Sequence, residues 1–163
     1  MARRTILTEG DPTLRKKSRH VTAFDGRLQT LVDDMFETMR HSNGVGLAAP
    51  QVGILRRLFV MNVGAEDVVA INPELSEYEG EQEELEGCLS LPGLYGYVKR
   101  PLSVVLSAFD AKGEPFRLKL EGLGAVCACH ETDHLNGVLF RDIASSELFR
   151  PEDLEDAEED EDD

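Results

Sequence analysis

The order of patterns along the chain predicts an α+β domain: one amphipathic helix, a long β-rich stretch, and a second helix. Three observations carry this. Apolar residues recur at helical spacing between residues 28 and 39, short β-rich runs fill much of residues 44–121, and a second helical stretch covers roughly 123–136. Helices and strands do not alternate, which argues against a βαβ array.

Each element has its own local reason. "EGDPTLRKKS" reads as a turn, with Asp11 before Pro12 and a basic cluster after it. In "FDGRLQTLVDDMFETMRHSNG", Leu28, Leu31, Val32, Met35, Phe36 and Met39 share one helix face. Asp25 is placed to cap that helix and Asn43-Gly44 to stop it. "RLFVMNV" (57–63), "VVAIN" (68–72), "LSVVLSAF" (102–109) and "PFRLKLE" (115–121) read as strands, with "DAKGE" as the hairpin turn between the last two. The seven glutamates within 73–87 point to exposed edge strand or loop rather than a buried strand. The second helix is apolar at "LGAVCA" and ends at Asn136-Gly137.

A length of 163 residues suits one domain with a real core. Residues 1–147 are expected to form that single domain, and 148–163 an acidic tail without fixed structure. The net charge of −15 is unevenly placed, since residues 151–163 hold ten acidic residues and no basic one. The remainder has 22 acidic and 17 basic residues, only mildly acidic. Without a basic stripe or an aromatic platform, specific DNA binding is not expected. No apolar run approaches the 18 residues of a membrane span, and the N-terminus shows no secretion signal. Three cysteines cannot make a disulfide framework, so reduced thiols in the cytoplasm are expected.

The informative stretch is "ACHETDHLNG" (128–137). Residues i and i+4 of a helix lie on one face, so His130 and His134 can aim at a single point with Glu131 beside it. This is the H-E-x-x-H pattern, two imidazole ligands plus a carboxylate able to take the proton of a metal-bound water. A catalytic site of this kind needs a third protein ligand. Downstream there is no histidine, only Glu147 and the acidic tail. Upstream, "EGCLSLPG" offers the thiol of Cys88. Three readings stand at this point: a hydrolase with Cys88 as third ligand, an endopeptidase using Glu147, or a non-enzymatic module such as a ribosome-associated adaptor.

Three segments in order, "GVGLAAPQ" (44–51), "EGCLS" (86–90) and "CHETDHL" (129–135), resemble the signature motifs of peptide deformylases, a likeness extending over about residues 5–143. The resemblance implies removal of the N-formyl group from the initiator methionine of new polypeptides, and antiparallel sheets packed around the metal-binding helix. It implies Cys88, His130 and His134 as ligands and Glu131 as general acid/base. Gln51 and the Leu89 backbone N–H would steady the developing oxyanion, and Gly46 would let the substrate backbone approach. Beside it, Val45, Leu123, Val126 and Cys127 are candidates for an apolar methionine slot. The family commonly uses Fe(II), with zinc, nickel or cobalt able to occupy the same site. Its partners would be N-formylmethionyl nascent peptides, with a transient ribosome contact that Arg15, Lys16, Lys17 and Arg19 are placed to make.

Two positions depart from the family pattern. Cys129 stands where glutamine is common and is expected to pack as a spectator. Tyr95 stands where some relatives carry an arginine that meets the substrate backbone. Two smaller expectations concern Glu86, as an orienting residue, and Asp133, as an ion-pair partner of Arg100.

Overall fold

The turn expected at Asp11-Pro12 folds as a 3₁₀ helix, Pro12–Arg15, with the Asp11 carboxylate accepting from Thr13 N–H at 2.9 Å. This computed structural model describes residues 2–64 and 66–153. Helix α1 is Gly26–His41, and Asp25 caps it by accepting from Leu28 N–H at 3.1 Å. It ends slightly before the expected stop. Asn43 takes a φ of 57°, which reverses the chain, and Gly44 N–H closes on Met39 O at 2.9 Å.

Seven strands follow: β1 Gly46–Ala48, β2 Leu58–Val63, β3 Glu66–Glu79, β4 Gln82–Cys88, β5 Leu91–Arg100, β6 Ser103–Phe109 and β7 Pro115–Glu121. β1, β2, β3, β6 and β7 form a five-stranded antiparallel sheet in that order, while β4 and β5 pair as a separate two-stranded ribbon. The four strands read from sequence are all present. β3 is longer than "VVAIN", because it continues through irregularities at Ile71/Glu74 and Ser76/Glu79. The glutamate-rich stretch becomes the end of β3 and most of β4, with every glutamate outside the core except Glu86.

Helix α2, Leu123–Leu135, and the single turn α3, Phe140–Ile143, complete the described chain. The five-stranded sheet has a helix on each face, and β2 shows why. Leu58 and Val60 pack with Leu28, Val32 and Met35 of α1, while Phe59 and Met61 pack with Cys127, Ala128 and Leu135 of α2. A strand buried on both sides reads as the continuous apolar run that it is. Among the described residues, no helix is long and apolar enough to cross a membrane.

A third cluster joins the ribbon to the chain's end: Leu14, Leu91, Val98, Leu139 and Phe140, with Leu148 packed on them. Phe149 pairs with Tyr95 through two backbone hydrogen bonds of 2.9 Å. Leu148 and Phe149 are thus part of the packing around the ribbon. Residues 154–163, which carry most of the acidic tail, lie outside the described residues.

Candidate metal centre

β4 delivers Cys88 to the helix that carries the two histidines. Its Sγ lies 3.2 Å from Nε2 of His134, and one donor atom from each of Cys88, His130 and His134 lies within 4.8 Å of the others. Ligands at the usual ~2.0–2.3 Å from a tetrahedral ion stand about 3.3–3.8 Å apart, so small adjustments complete such a site. Glu147 is exposed and is not part of this group, so the site does not have the form of an endopeptidase centre built on it.

The two histidines sit in different electrostatic settings. His130 Nδ1 donates to Glu86 Oε1 at 2.8 Å, which fixes the orientation of its ring. Burial alone would pull His130 down, but the Glu131 charge and its hydrogen bonds to Cys88 and Glu86 hold it well above the usual imidazole value. Burial drives His134 the other way, and the neighbouring His130 and Arg100 add to the effect, so it is kept neutral. Its Nδ1 is buried without a partner. A half-buried thiol and two buried imidazoles with this spacing fit a borderline divalent cation, and such an ion would stabilise a cluster otherwise costly to bury.

Behind His130 stands a buried ionic link. Arg100 donates to both oxygens of Glu86, at 2.9 and 3.0 Å, and to Asp133 at 2.7 Å. The Arg100–Asp133 pair is as expected, and Glu86 holds the ring of His130. What the sequence concealed is that Glu86 and Arg100 are partners. Burial works against ionising Glu86, yet His130 and Arg100 hold it below the usual carboxylate range.

Glu131 projects beside the donors. Burial pushes its carboxyl up to about 7, against the opposing influence of His130. A carboxyl poised there both accepts and returns a proton near neutral pH. Oε1 of Glu131 is buried without a hydrogen-bond partner. A Cβ on Gly46 would stand 2.5 Å from Glu131 Oε2 and 2.7 Å from Cys127 Sγ. The first requirement for glycine here is thus room for Glu131, an added reason beside the expected substrate approach.

The Ala49–Val52 3₁₀ turn presents Gln51 from the opposite side. Its Oε1 accepts from Ala48 N–H at 2.9 Å, so Nε2 is the end facing Ser90 Oγ (3.1 Å) and Cys88 Sγ (3.6 Å). A donor is therefore aimed at the metal site. Leu89 forms the turn after Cys88. Ser90, which sequence reasoning did not single out, is fully buried and helps fix Gln51.

Cys88, His130, Glu131 and Gln51 open on a cleft of about 510 Å³, lined also by Gly44–Gly46 and Leu85–Leu89. All of Val45, Leu123, Val126 and Cys127 line it, but they divide. Val126 and Cys127 are buried in its wall, whereas Val45 and Leu123 are 47% and 57% exposed at its rim. Burial raises the Cys127 thiol well above its usual value, and burial lifts Cys129 to about 11, which favours the protonated thiol of both near neutral pH. Cys129 packs with Val104 and Ala125, the buried packing expected of it.

A profile of the polypeptide deformylase family matches residues 3–149. The chain is 57% identical to peptide deformylase 1 of Clostridium acetobutylicum, covering 90% of this chain and 99% of that one. It is 54% identical to the peptide deformylase of Acetivibrio thermocellus, covering 87% and 84%. Among solved structures, the peptide deformylase of Thermotoga maritima superposes with a TM-score of 0.88 at 44% identity, covering 90% of this chain and all (100%) of that one. The Ehrlichia chaffeensis peptide deformylase, solved in complex with actinonin, gives 0.87 at 37% identity, covering 90% and 91%.

Proposed function

The chain belongs to the polypeptide deformylase family, and on that premise we propose how its residues divide the work. It is a metal-dependent hydrolase that removes the N-formyl group from the N-terminal formylmethionine of new polypeptides, releasing formate. In our assignment, Cys88, His130 and His134 hold the ion and α2 is the helix that carries it. Fe(II) is the native metal we propose, with zinc, nickel or cobalt as substitutes. The bound ion supplies a Lewis acid that makes water acidic enough to be deprotonated near neutral pH.

The remaining steps belong to side chains. Glu131 takes a proton from the attacking water and passes it to the departing amine. Gln51 Nε2 and the Leu89 N–H donate to the oxygen on which charge develops. Glu86, anchored by Arg100, fixes the ring of His130. Val126 and Cys127 form the wall of the methionine slot, and Val45 and Leu123 its rim. Close walls around the acyl carbon admit a formyl hydrogen and clash with an acetyl methyl.

One observation carries the reading: a thiol and two imidazoles, 42 to 46 residues apart in sequence, come within 4.8 Å with Glu131 alongside. Formate release from formyl-Met-Ala-Ser by anaerobic, iron-loaded protein tests it, and no release would contradict it. We also propose a cytoplasmic setting and a transient ribosome contact. Lys16, Lys17 and Arg19 are exposed and available for that contact, while Arg15 is engaged with Asp142 at 2.5 Å.

A further inference from the structure

Three arginines far apart in the sequence meet at one place. Arg4 of the N-terminal segment, Arg27 in the first turn of α1 and Arg56 just before β2 line a single pocket of about 460 Å³. Thr30 stands with them, and Leu31 and Ile54 supply the apolar part of the lining. No residue of this pocket lines the catalytic cleft. Helix α1 spans the two: Gly26 at its start lines the pocket and its C-cap Ser42 lines the cleft, about 24 Å along the axis.

The charges gathered here are unusual for so acidic a chain. The exposed Arg15, Arg40, Arg117 and Arg141 each meet a carboxylate. Arg27 and Arg56 are also exposed, yet among the described residues neither pairs with one. Arg4 does answer Asp34, through Nε at 3.0 Å and Nη2 at 2.9 Å, but Asp34 does not line the pocket. Asp25 accepts from Leu28 N–H and does not line it either. The lining therefore holds three guanidinium groups and no carboxylate.

Like charges brought together repel unless an anion answers them. A phosphate carries up to two charges, and its oxygens match the guanidinium fork closely enough to be shared between arginines. The Thr30 hydroxyl is one more donor for such an oxygen. We propose that Arg4, Arg27 and Arg56 form a binding site for a run of phosphate groups, separate from the metal centre. This does not depend on the deformylase reading. The phosphates belong either to a free oligophosphate or to an RNA backbone, which offer the pocket the same chemistry.

The test titrates full-length, metal-loaded protein at low salt with inorganic tripolyphosphate and, separately, with a short mixed-sequence RNA duplex. Arg27→Ala and Arg56→Ala, made separately, should each weaken binding by about 10-fold. Lys112→Ala, on the β6–β7 hairpin, should leave it unchanged. Either arginine variant alone suffices if the other fails to fold. Variant-sensitive binding of tripolyphosphate without RNA identifies a free oligophosphate as the ligand. Variant-sensitive binding of RNA, with a salt dependence that loses about one unit of slope per arginine removed, identifies the RNA backbone. Binding of neither probe, equal affinity in wild type and a folded arginine variant, or tighter binding of a hexaglutamate peptide than of tripolyphosphate overturns the site.

Discussion

Gly46 and Glu131 occupy space that only a glycine can share: a methyl group on residue 46 would sit 2.5 Å from Oε2 of the glutamate. The carboxylate is thus seated by a strand edge from another part of the chain. Gly46→Ala should push Glu131 out of line, and misplacement of a reacting group by about 1 Å costs on the order of 10²-fold. The expected outcome is a fall of that size in kcat with metal content unchanged. Metal analysis beside formate release checks it, and undiminished kcat would contradict the role given to this pair.

Removing the carboxylate itself gives a second expectation. Glu131→Gln keeps the shape and loses the proton acceptor, so kcat should fall by about 10²–10⁴-fold. The three donors remain, so the ion should still bind. Steady-state kinetics and metal analysis on the same preparation separate loss of chemistry from loss of the site.

Arg100 should matter first for stability. It is buried and answers two carboxylates, Glu86 and Asp133. Arg100→Met leaves Glu86 buried with its main counter-charge gone, a change that costs about 3–5 kcal/mol. In a chain of this size that lowers Tm by on the order of 10 °C. Thermal unfolding of Arg100→Met against wild type measures it, and Glu86→Gln combined with Arg100→Met should recover part of the loss.

Much of this was legible in the sequence, for identifiable reasons. The face of α1 and its Asp25 cap follow from spacing and capping chemistry that neighbours rarely override. His130, Glu131 and His134 declare themselves because four residues make one helical turn. β5 was not legible: "LPGLYGYVKR" contains a proline and two glycines, which read locally as turn, and only pairing with β4 makes it a strand. The Glu86–Arg100 link was hidden for a similar reason. Arg100 is registered opposite Gln82, and its long side chain reaches back along the ribbon to Glu86, a contact no spacing rule encodes. Gly46 reads in the sequence as room for the substrate backbone, and only the fold sets the Glu131 carboxylate beside it.

The acid dependence of folding should have a part that belongs to Asp34. Its carboxylate accepts from Ala2 N–H at 2.8 Å and from Arg4 at 2.9 and 3.0 Å. The Ala2 hydrogen bond, and with it Arg4, holds Asp34 below the usual carboxylate value in spite of burial. The unfolded chain therefore takes up this proton first as pH falls. The stabilisation is complete above the unfolded value of about 3.9 and fades as pH drops through the lower native one. Asp34→Asn should be less stable than wild type by about 1–2 kcal/mol at pH 7, with the gap narrowing toward pH 3. Urea unfolding at the two pH values checks it, and a constant gap would contradict it.

The central claim is that one ion is held jointly by the β4 thiol and the α2 imidazoles. Anomalous diffraction from anaerobically prepared crystals tests it most directly. The account predicts a single strong peak about 2.0–2.4 Å from Cys88 Sγ and from one nitrogen each of His130 and His134, and its disappearance in Cys88→Ala. A peak placed elsewhere, or one that persists undiminished in Cys88→Ala, would contradict it.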